Sequence, residues 1–186
     1  GAPSNTAAYQ TGDTTATITL STTSGATVTC TFTNTLQQGT IEVRKITEGG
    51  TAQFPYTITG NSQNPTVVAP FNISTSTAGV AATSGNKVVN AGSYTIDEGA
   101  QPSVDWQFVS VSCVDDNGTP GTPGDDVANF GSINGDQATV SVATNHKVVC
   151  TYTNRKRAQI TIVKQCNPTP DSQEFQFQAN TVDVKQ

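Results

Sequence analysis

The sequence predicts an all-β protein that folds as a β-sandwich. Only 34% of its 186 residues are hydrophobic and 12% are charged, and Thr and Val dominate, which favours strands and polar loops over helices. Short runs of alternating apolar and polar residues recur along the chain, with Gly and Asn turns between them. About seven such runs are typical of a sandwich. Segments near both ends also repeat segments of the centre, which indicates copies of one unit.

Two short motifs carry this repetition. CTFTN at residues 30–34 returns as CTYTN at residues 150–154, and IEVRK at residues 41–45 returns as ITIVK at residues 160–164. The two cysteines are 120 residues apart and the two lysines 119. A period of this size matches the commonest size of a single domain.

The period divides the chain into one complete repeat and two partial ones. The complete sandwich is predicted at residues 38–155. Residues 1–37 then form the C-terminal part of a preceding repeat, and residues 156–186 form the first two strands of a following one. We therefore expect the missing parts to come from adjacent repeats of a longer protein or from neighbouring subunits.

Each strand is predicted from an alternating run between turn residues. Residues 1–13 are expected to form a loop, and the last two strands of each unit a closing hairpin. Val109, Val111 and Cys113 are expected on one face of their strand, with Trp106 at one end of the core. The predicted strands are residues 15–20, 26–34, 41–46, 54–59, 67–68, 71–73, 87–89, 93–98, 106–114, 138–142 and 147–154.

Three polar residues end alternating runs of the complete unit. The runs are Ile41-x-Val43-x-Lys45, Tyr94-x-Ile96-x-Glu98 and Cys150-x-Tyr152-x-Asn154. Successive side chains of a strand point to opposite faces, so every second residue shares a face. Lys45, Glu98 and Asn154 are therefore predicted on the inner faces of the sandwich.

The IEVRK opening, the YTIDE segment at residues 94–98 and the CTYTN ending resemble the prealbumin-like domains of bacterial surface proteins, the group of collagen-adhesin B-type repeats and SpaA-type pilin domains. The resemblance implies a prealbumin-like or immunoglobulin-like sandwich. It also implies an isopeptide bond between Lys45 and Asn154, with Glu98 between them. Asn34 and Lys164 are the equivalent inter-repeat candidates. Cys150 departs from the plain pilin-type pattern.

Elementary chemistry agrees with this implication. A buried ammonium without a partner is costly, so the pKa of Lys45 is expected to fall and its neutral amine to become a nucleophile. Glu98 can polarise the Asn154 amide and transfer protons while ammonia leaves. The alternative is that Lys45 and Glu98 form an ion pair near the rim of the sandwich and Asn154 caps a turn.

The four cysteines predict disulfide chemistry. None lie two to four residues apart, as zinc ligands usually do. Cys113 and Cys150 are expected on inner faces of one domain and are predicted to form a disulfide, which indicates an oxidising, extracellular setting. Cys30 is expected to pair with sequence outside this chain. Cys166 is either a free thiol or paired outside it.

An acidic insertion follows the Trp106 strand. Its carboxylate and amide oxygens suit Ca²⁺, but their spacing does not match the twelve-residue calcium loop. A calcium site and a solvated acidic loop therefore both stay open, and no other cofactor is predicted. His146 is expected to be a surface turn residue. The candidate ligands are Asp115, Asp116, Asn117, Asp125 and Asp126.

Composition also excludes classes of partner. A net charge of −5 and a pI near 4.6 argue against nucleic acid, which needs a clustered basic face. No stretch predicts a membrane span. Sequons at Asn72 and Asn117 leave glycan modification open.

These features favour a structural repeat of an extracellular, cell-surface stalk or filament, because repetition at this period suits a rod built of many copies. The alternative is an adhesin-type recognition module that binds glycan or a host protein through the polar loops at residues 61–65, 75–86 and 114–126. No constellation acting on an external substrate is present in the sequence, so an enzyme is not predicted.

Overall fold

A computed structural model describes residues 6–8, 17–19, 31, 37–60, 67–161, 163 and 165. The described residues form strands and loops, and no helix among them could cross a membrane. The strands are β1 (Thr6–Ala8), β2 (Thr17–Thr19), β3 (Gln38–Glu48), β4 (Gln53–Gly60), β5 (Val67–Ser74), β6 (Ala82–Asn90), β7 (Gly92–Glu98), β8 (Trp106–Asp115), β9 (Val127–Ala128), β10 (Ser132–Asn134), β11 (Gln137–Val142) and β12 (Lys147–Lys156).

Strands β3 to β12 form two five-stranded sheets, as predicted for a sandwich. One sheet has the order β10, β11, β7, β4, β5, and the other β6, β3, β12, β8, β9. Their inner faces supply the core, which includes three tyrosines, Tyr56, Tyr94 and Tyr152, each at most 1% exposed. Trp106 packs edge-on against Phe54, with ring centroids 5.3 Å apart, at the boundary of this core.

The first and last strands of the sandwich are parallel neighbours. β12 pairs with β3 from Lys147 opposite Thr40 to Arg155 opposite Glu48. Because parallel strands run in the same direction, the chain enters at one end of this pair and leaves at the other. The pairing also places β12 between β3 and β8 in the middle of its sheet.

The predicted closing hairpin of the sandwich is wrong. β11 pairs with β7 in one sheet, whereas β12 pairs with β3 and β8 in the other. The segment 143–146 therefore crosses between the sheets, with Asn145 at a φ of 65°. It passes so close to Gly39 that a Cβ there would lie 2.4 Å from Val142 and 2.5 Å from the Ala143 carbonyl oxygen. Only glycine fits this crossing.

The expected face of Val109 is also wrong. The register between β8 and β12 shifts at Thr153 and Asn154. Thr153 lies opposite Ser110, whereas Asn154 lies opposite Phe108, so that Val109 is passed over. Such a β-bulge reverses the alternation. Val109 is accordingly 43% exposed while Val111 and Cys113 are buried.

Two other strand predictions need correction. The short strands predicted between residues 67 and 89 are two continuous ones, β5 and β6. Pro70 does not interrupt β5, because β5 is an edge strand and its register with β4 shifts beside this proline. Residues 6–8, predicted as loop, form β1 and pair with β2. Apart from Thr31, the strand predicted at residues 26–34 lies outside the described residues.

Cys113 and Cys150 form the predicted disulfide. They stand directly opposite each other on β8 and β12, and both are at most 1% exposed. The bond closes a loop with a sequence separation of 37 residues. By the chain-entropy model, a loop of this size stabilises the folded state by about 3 to 4 kcal/mol.

We expect Cys113→Ala/Cys150→Ala to lower the free energy of unfolding by about 3 to 4 kcal/mol, because the unfolded chain regains the entropy of the open loop. Urea unfolding followed by tryptophan fluorescence measures this loss. Both this variant and the reference protein carry Cys30→Ala/Cys166→Ala, so that no other thiol can exchange. Equal stability of the two proteins would contradict the assignment.

Candidate functional site

Three buried polar side chains meet between the two sheets. Lys45 on β3 and Asn154 on β12 have no exposed surface, and Glu98 at the end of β7 is 2% exposed. Lys45 lies opposite Tyr152, and Asn154 lies opposite Thr47, so the two side chains share the inner face at neighbouring positions. Glu98 reaches them from the facing sheet. The period-2 pattern predicted all three orientations.

The three side chains form one closed hydrogen-bond network. The Lys45 Nζ lies 2.5 Å from Glu98 Oε1 and also donates a hydrogen bond to Asn154 Oδ1. The Asn154 Nδ2 donates a hydrogen bond of 2.9 Å to Glu98 Oε2. The amine, the carboxylate and the carboxamide are thus each in contact with the other two. Lys45 and Glu98 do form the ion pair of the alternative prediction, but it is buried instead of lying at the rim, and Asn154 lies within β12 and not at a turn.

Three further residues complete the surroundings. The Tyr56 hydroxyl donates to Glu98 Oε1 at 2.8 Å, and Gln101 Nε2 donates to Glu98 Oε2 at 3.1 Å. The Phe54 ring lies beneath the amine, with its centroid 4.1 Å from Lys45 Nζ. Sequence reasoning did not assign these roles. Alternation in β4 places Phe54 and Tyr56 inward, but Gln101 lies in a loop and carries no local signal.

Burial decides the protonation of the amine. Removal from solvent lowers the pKa of Lys45 to about 8, although the hydrogen bond and the charge of Glu98 oppose this shift. Burial, together with the Glu98 charge, raises the pKa of Tyr56 far above its usual value. Tyr56 therefore stays a neutral hydrogen-bond donor, while a fraction of Lys45 is a neutral amine near neutral pH.

The outer face of β3 carries a second buried glutamate with different surroundings. Glu42 is 6% exposed, accepts hydrogen bonds from Arg44 at 2.7 Å and Thr83 at 2.9 Å, and pairs with Lys147. Burial by itself raises the pKa of Glu42, but the bonds from Arg44, Lys147 and Thr83 together lower it to about 2. Glu42 is thus a permanently ionised carboxylate with no carboxamide among these partners.

The acidic insertion brings two of the predicted calcium ligands together with His146, which was not among them. Ligand atoms of Asp115, Asp116 and His146 lie within 4.8 Å of one another. Asp115 accepts a hydrogen bond from His146 Nδ1 at 3.0 Å, and Asp116 Oδ1 accepts from the Lys147 backbone at 2.7 Å. His146 is half-buried rather than a plain surface residue.

The other predicted ligands lie outside this group. Asn117, Asp125 and Asp126 are exposed, and Asp125 Oδ2 accepts a hydrogen bond from the Thr119 hydroxyl at 2.7 Å. The five-residue calcium set therefore stays a prediction. Asn34, Lys164, Cys30 and Cys166 lie outside the described residues, so the inter-repeat bonds and the pairing of these cysteines stay predictions too.

Comparison with known proteins defines the class. A family model described as a prealbumin-like fold domain matches residues 41–156, which is more than half of the chain. The chain therefore belongs to the prealbumin-like domain family, as its motifs predicted. The matched segment contains Lys45, Glu98 and Asn154.

Among solved structures, the chain is similar to the major pilin from Streptococcus pyogenes, with 14% identity and a TM-score of 0.37 over 66% of this chain and 49% of that one. It is also similar to the T3.2 major pilin of this species, with 10% identity and a TM-score of 0.32 over 76% and 52% of the two chains. It thus spans about half the length of these pilins. A search of curated proteins found no match.

The buried tyrosines allow the carboxylate site to be tested. The Tyr56 hydroxyl donates to a carboxylate and the Tyr152 hydroxyl to the Ile96 carbonyl oxygen. Because bonds to charged groups are stronger, Tyr56→Phe should lower the free energy of unfolding by about 1.5 to 3 kcal/mol and Tyr152→Phe by about 1.

Urea unfolding of both variants measures this difference. Each is compared in an Asn154→Ala background, where no bond between Lys45 and residue 154 can form. A larger loss for Tyr152→Phe would show that the Glu98 carboxylate is not the stronger acceptor.

Proposed function

We propose that this chain is a structural domain of an extracellular, cell-surface stalk or filament, and that Lys45 and Asn154 are joined by an isopeptide bond that the domain forms by itself. The observation that carries the proposal is the placement of the Lys45 amine between the Glu98 carboxylate and the Asn154 carboxamide, with all three at most 2% exposed. The family membership supports it.

The reaction needs only these three side chains. The Lys45 ammonium transfers a proton to Glu98, and the neutral amine attacks Cγ of Asn154. Glu98, whose Oε2 accepts from Asn154 Nδ2, returns a proton to the departing nitrogen. The Cγ–Nδ2 bond breaks, the nitrogen leaves as neutral ammonia, and the second amine proton passes to Glu98 as the Nζ–Cγ amide forms. With a pKa near 8, roughly one tenth of the amine is neutral at pH 7.

The surroundings suit this chemistry because they exclude water. Phe54 covers the amine at 4.1 Å, and Trp106 packs on Phe54. Exclusion of water strengthens the electrostatic interactions of the triad and protects a tetrahedral intermediate from hydrolysis. The amine and the amide are also held in contact before reaction, which removes most of the entropic cost of bringing them together.

The strand topology suits a load-bearing domain. The chain enters through β3 and leaves through β12, and these strands are parallel neighbours in one sheet. A bond between Lys45 and Asn154 would pass tension directly from β3 to β12, and the residues between them would carry none. It would also close a loop with a sequence separation of 109 residues, worth about 4 to 5 kcal/mol by the chain-entropy model.

The remaining features fit the same setting. A buried disulfide is typical of proteins exported to an oxidising environment. In a stalk or filament the neighbours of this domain would be adjacent repeats or other subunits of the same protein. In the proposed crosslinking reaction Glu98 acts once and on its own chain, so the reaction needs no external substrate.

We expect the intact mass of the folded chain to be lower than its sequence mass by one ammonia, after allowance for the disulfide. Glu98→Ala and Asn154→Ala should restore the missing mass, because the proton carrier or the electrophile is absent. Glu42→Ala is the matched control, since Glu42 is a buried glutamate on the other face of β3, and it should leave the loss unchanged. Tandem mass spectrometry should locate a branched peptide at Lys45 and Asn154.

Circular dichroism must show that each variant is folded before its mass is interpreted. An unshifted mass in the folded, unmodified chain would contradict the crosslink. Loss of ammonia that persists in Asn154→Ala would place the bond elsewhere.

We expect the domain to resist extension when it is pulled by its ends. Under reducing conditions, Glu98→Ala should unfold and release roughly 360 to 390 Å more contour length than the unmodified chain, because the bond hides the 109 residues between its ends. Single-molecule force spectroscopy measures this difference, with Glu42→Ala as control. Full extension of the unmodified domain would contradict the load-bearing role.

A further inference from the structure

Gln101 is a polar residue of the buried network that the proposed reaction does not use. It lies three residues after the end of β7 and is half-buried. Its Oε1 accepts a hydrogen bond of 2.5 Å from Asn154 Nδ2, and its Nε2 donates one of 3.1 Å to Glu98 Oε2. It therefore contacts both the carboxylate and the nitrogen that would leave.

Gln101 and Glu98 together determine which way the Asn154 carboxamide faces. The two N–H groups of Nδ2 are used by Glu98 Oε2 at 2.9 Å and Gln101 Oε1 at 2.5 Å, so that Oδ1 faces the Lys45 amine. The reversed amide would direct N–H groups at the Lys45 ammonium and place its oxygen against two acceptors. The Gln101 amide is oriented in turn by its own bond to Glu98.

Gln101 also differs in exposure from the groups around it. Lys45, Glu98 and Asn154 are at most 2% exposed, and Tyr56 is 1% exposed. Of the two side chains in the described part of the chain that accept a hydrogen bond from Asn154 Nδ2, Glu98 is buried and Gln101 is partly exposed. A nitrogen released from Cγ would thus be in contact with a side chain that is partly exposed to solvent.

We propose that Gln101 is a positioning residue of the crosslinking reaction, which orients the Asn154 carboxamide for attack and receives the ammonia that leaves. The inference rests on the proposed isopeptide bond. Gln101 neither gains nor loses a proton in this step. It accepts from Nδ2 before the Cγ–Nδ2 bond breaks and from free ammonia afterwards.

The test follows crosslinking in time on the full chain. Protein is made by pulse-labelled cell-free synthesis under oxidising conditions and quenched in acidic denaturant at intervals, and the loss of ammonia is read by intact mass. Gln101→Leu removes both hydrogen bonds and should slow the loss about tenfold or more, since each tenfold corresponds to one hydrogen bond of ordinary strength. The reaction should still reach completion, which shows that the variant folds.

Gln53→Leu is the matched control. Gln53 is an exposed glutamine on β4 whose Nε2 also makes a side-chain hydrogen bond, to Ser74 at 3.1 Å. Its side chain lies on the exposed face of β4, opposite to the buried face that carries Phe54, so Gln53→Leu should react at the rate of the unmodified chain. An equal slowing of both variants would show a general effect of losing a glutamine.

Gln101→Glu separates positioning from a merely structural role. An ionised carboxylate keeps an acceptor for Asn154 but repels Glu98, whereas a protonated carboxyl supplies both an acceptor and a donor, as glutamine does. The rate of this variant relative to the unmodified chain should therefore rise as the pH falls. The other titratable groups of the site, Lys45, Tyr56 and Glu98, are common to both proteins. The relative rate of Gln101→Leu should not change with pH.

Two failures are distinguishable. An unmodified chain that folds without losing ammonia overturns the crosslink and this inference together. A chain that crosslinks, but whose Gln101→Leu variant reacts at the unmodified rate, overturns the role of Gln101 alone. If Gln101→Leu and Gln101→Glu showed the same pH profile, Gln101 would act only through packing, and its positioning role would be overturned.

Discussion

A lysine side chain without exposed surface is the constraint on which this sandwich depends. The Lys45 ammonium has the Glu98 carboxylate at 2.5 Å and the Asn154 carboxamide as partners, inside a core made mostly of aliphatic and aromatic side chains. A buried charge that loses its partner costs about 3 to 5 kcal/mol. The two sheets must therefore hold β3, β7 and β12 in one fixed relation. The same requirement brings an amine, a carboxylate and a carboxamide into contact.

Two lysine–glutamate pairs near β3 show how surroundings decide chemistry. On the outer face, Glu42 faces Lys147 and Arg44, and these partners keep it ionised with a pKa near 2. On the inner face, burial lowers the pKa of Lys45 to about 8, and an amide takes the place of a second cation. The residue types are the same in both pairs. Only the inner pair places an amine of lowered pKa beside a carboxamide.

The parallel pairing of β3 with β12 places the buried site on the two strands that would receive tension applied to the chain ends. Because the chain enters and leaves through neighbouring strands that run in the same direction, tension on the ends shears one strand against the other. Lys45 and Asn154 lie on this pair and on its buried face. The proposed covalent bond at this position would therefore be protected from water and would join the two strands through which the chain enters and leaves the sandwich.

Local alternation was enough to predict an all-β sandwich, the inward orientation of Lys45, Glu98 and Asn154, and the pairing of Cys113 with Cys150. Each of these depends on which face a side chain takes, and that repeats every two residues. Tertiary structure alone decided that β11 and β12 belong to different sheets, that a bulge turns Val109 outward, and that Gln101 meets an asparagine 53 residues away. Contacts between residues so far apart in sequence depend on how the sheets pack, and no short motif records that packing.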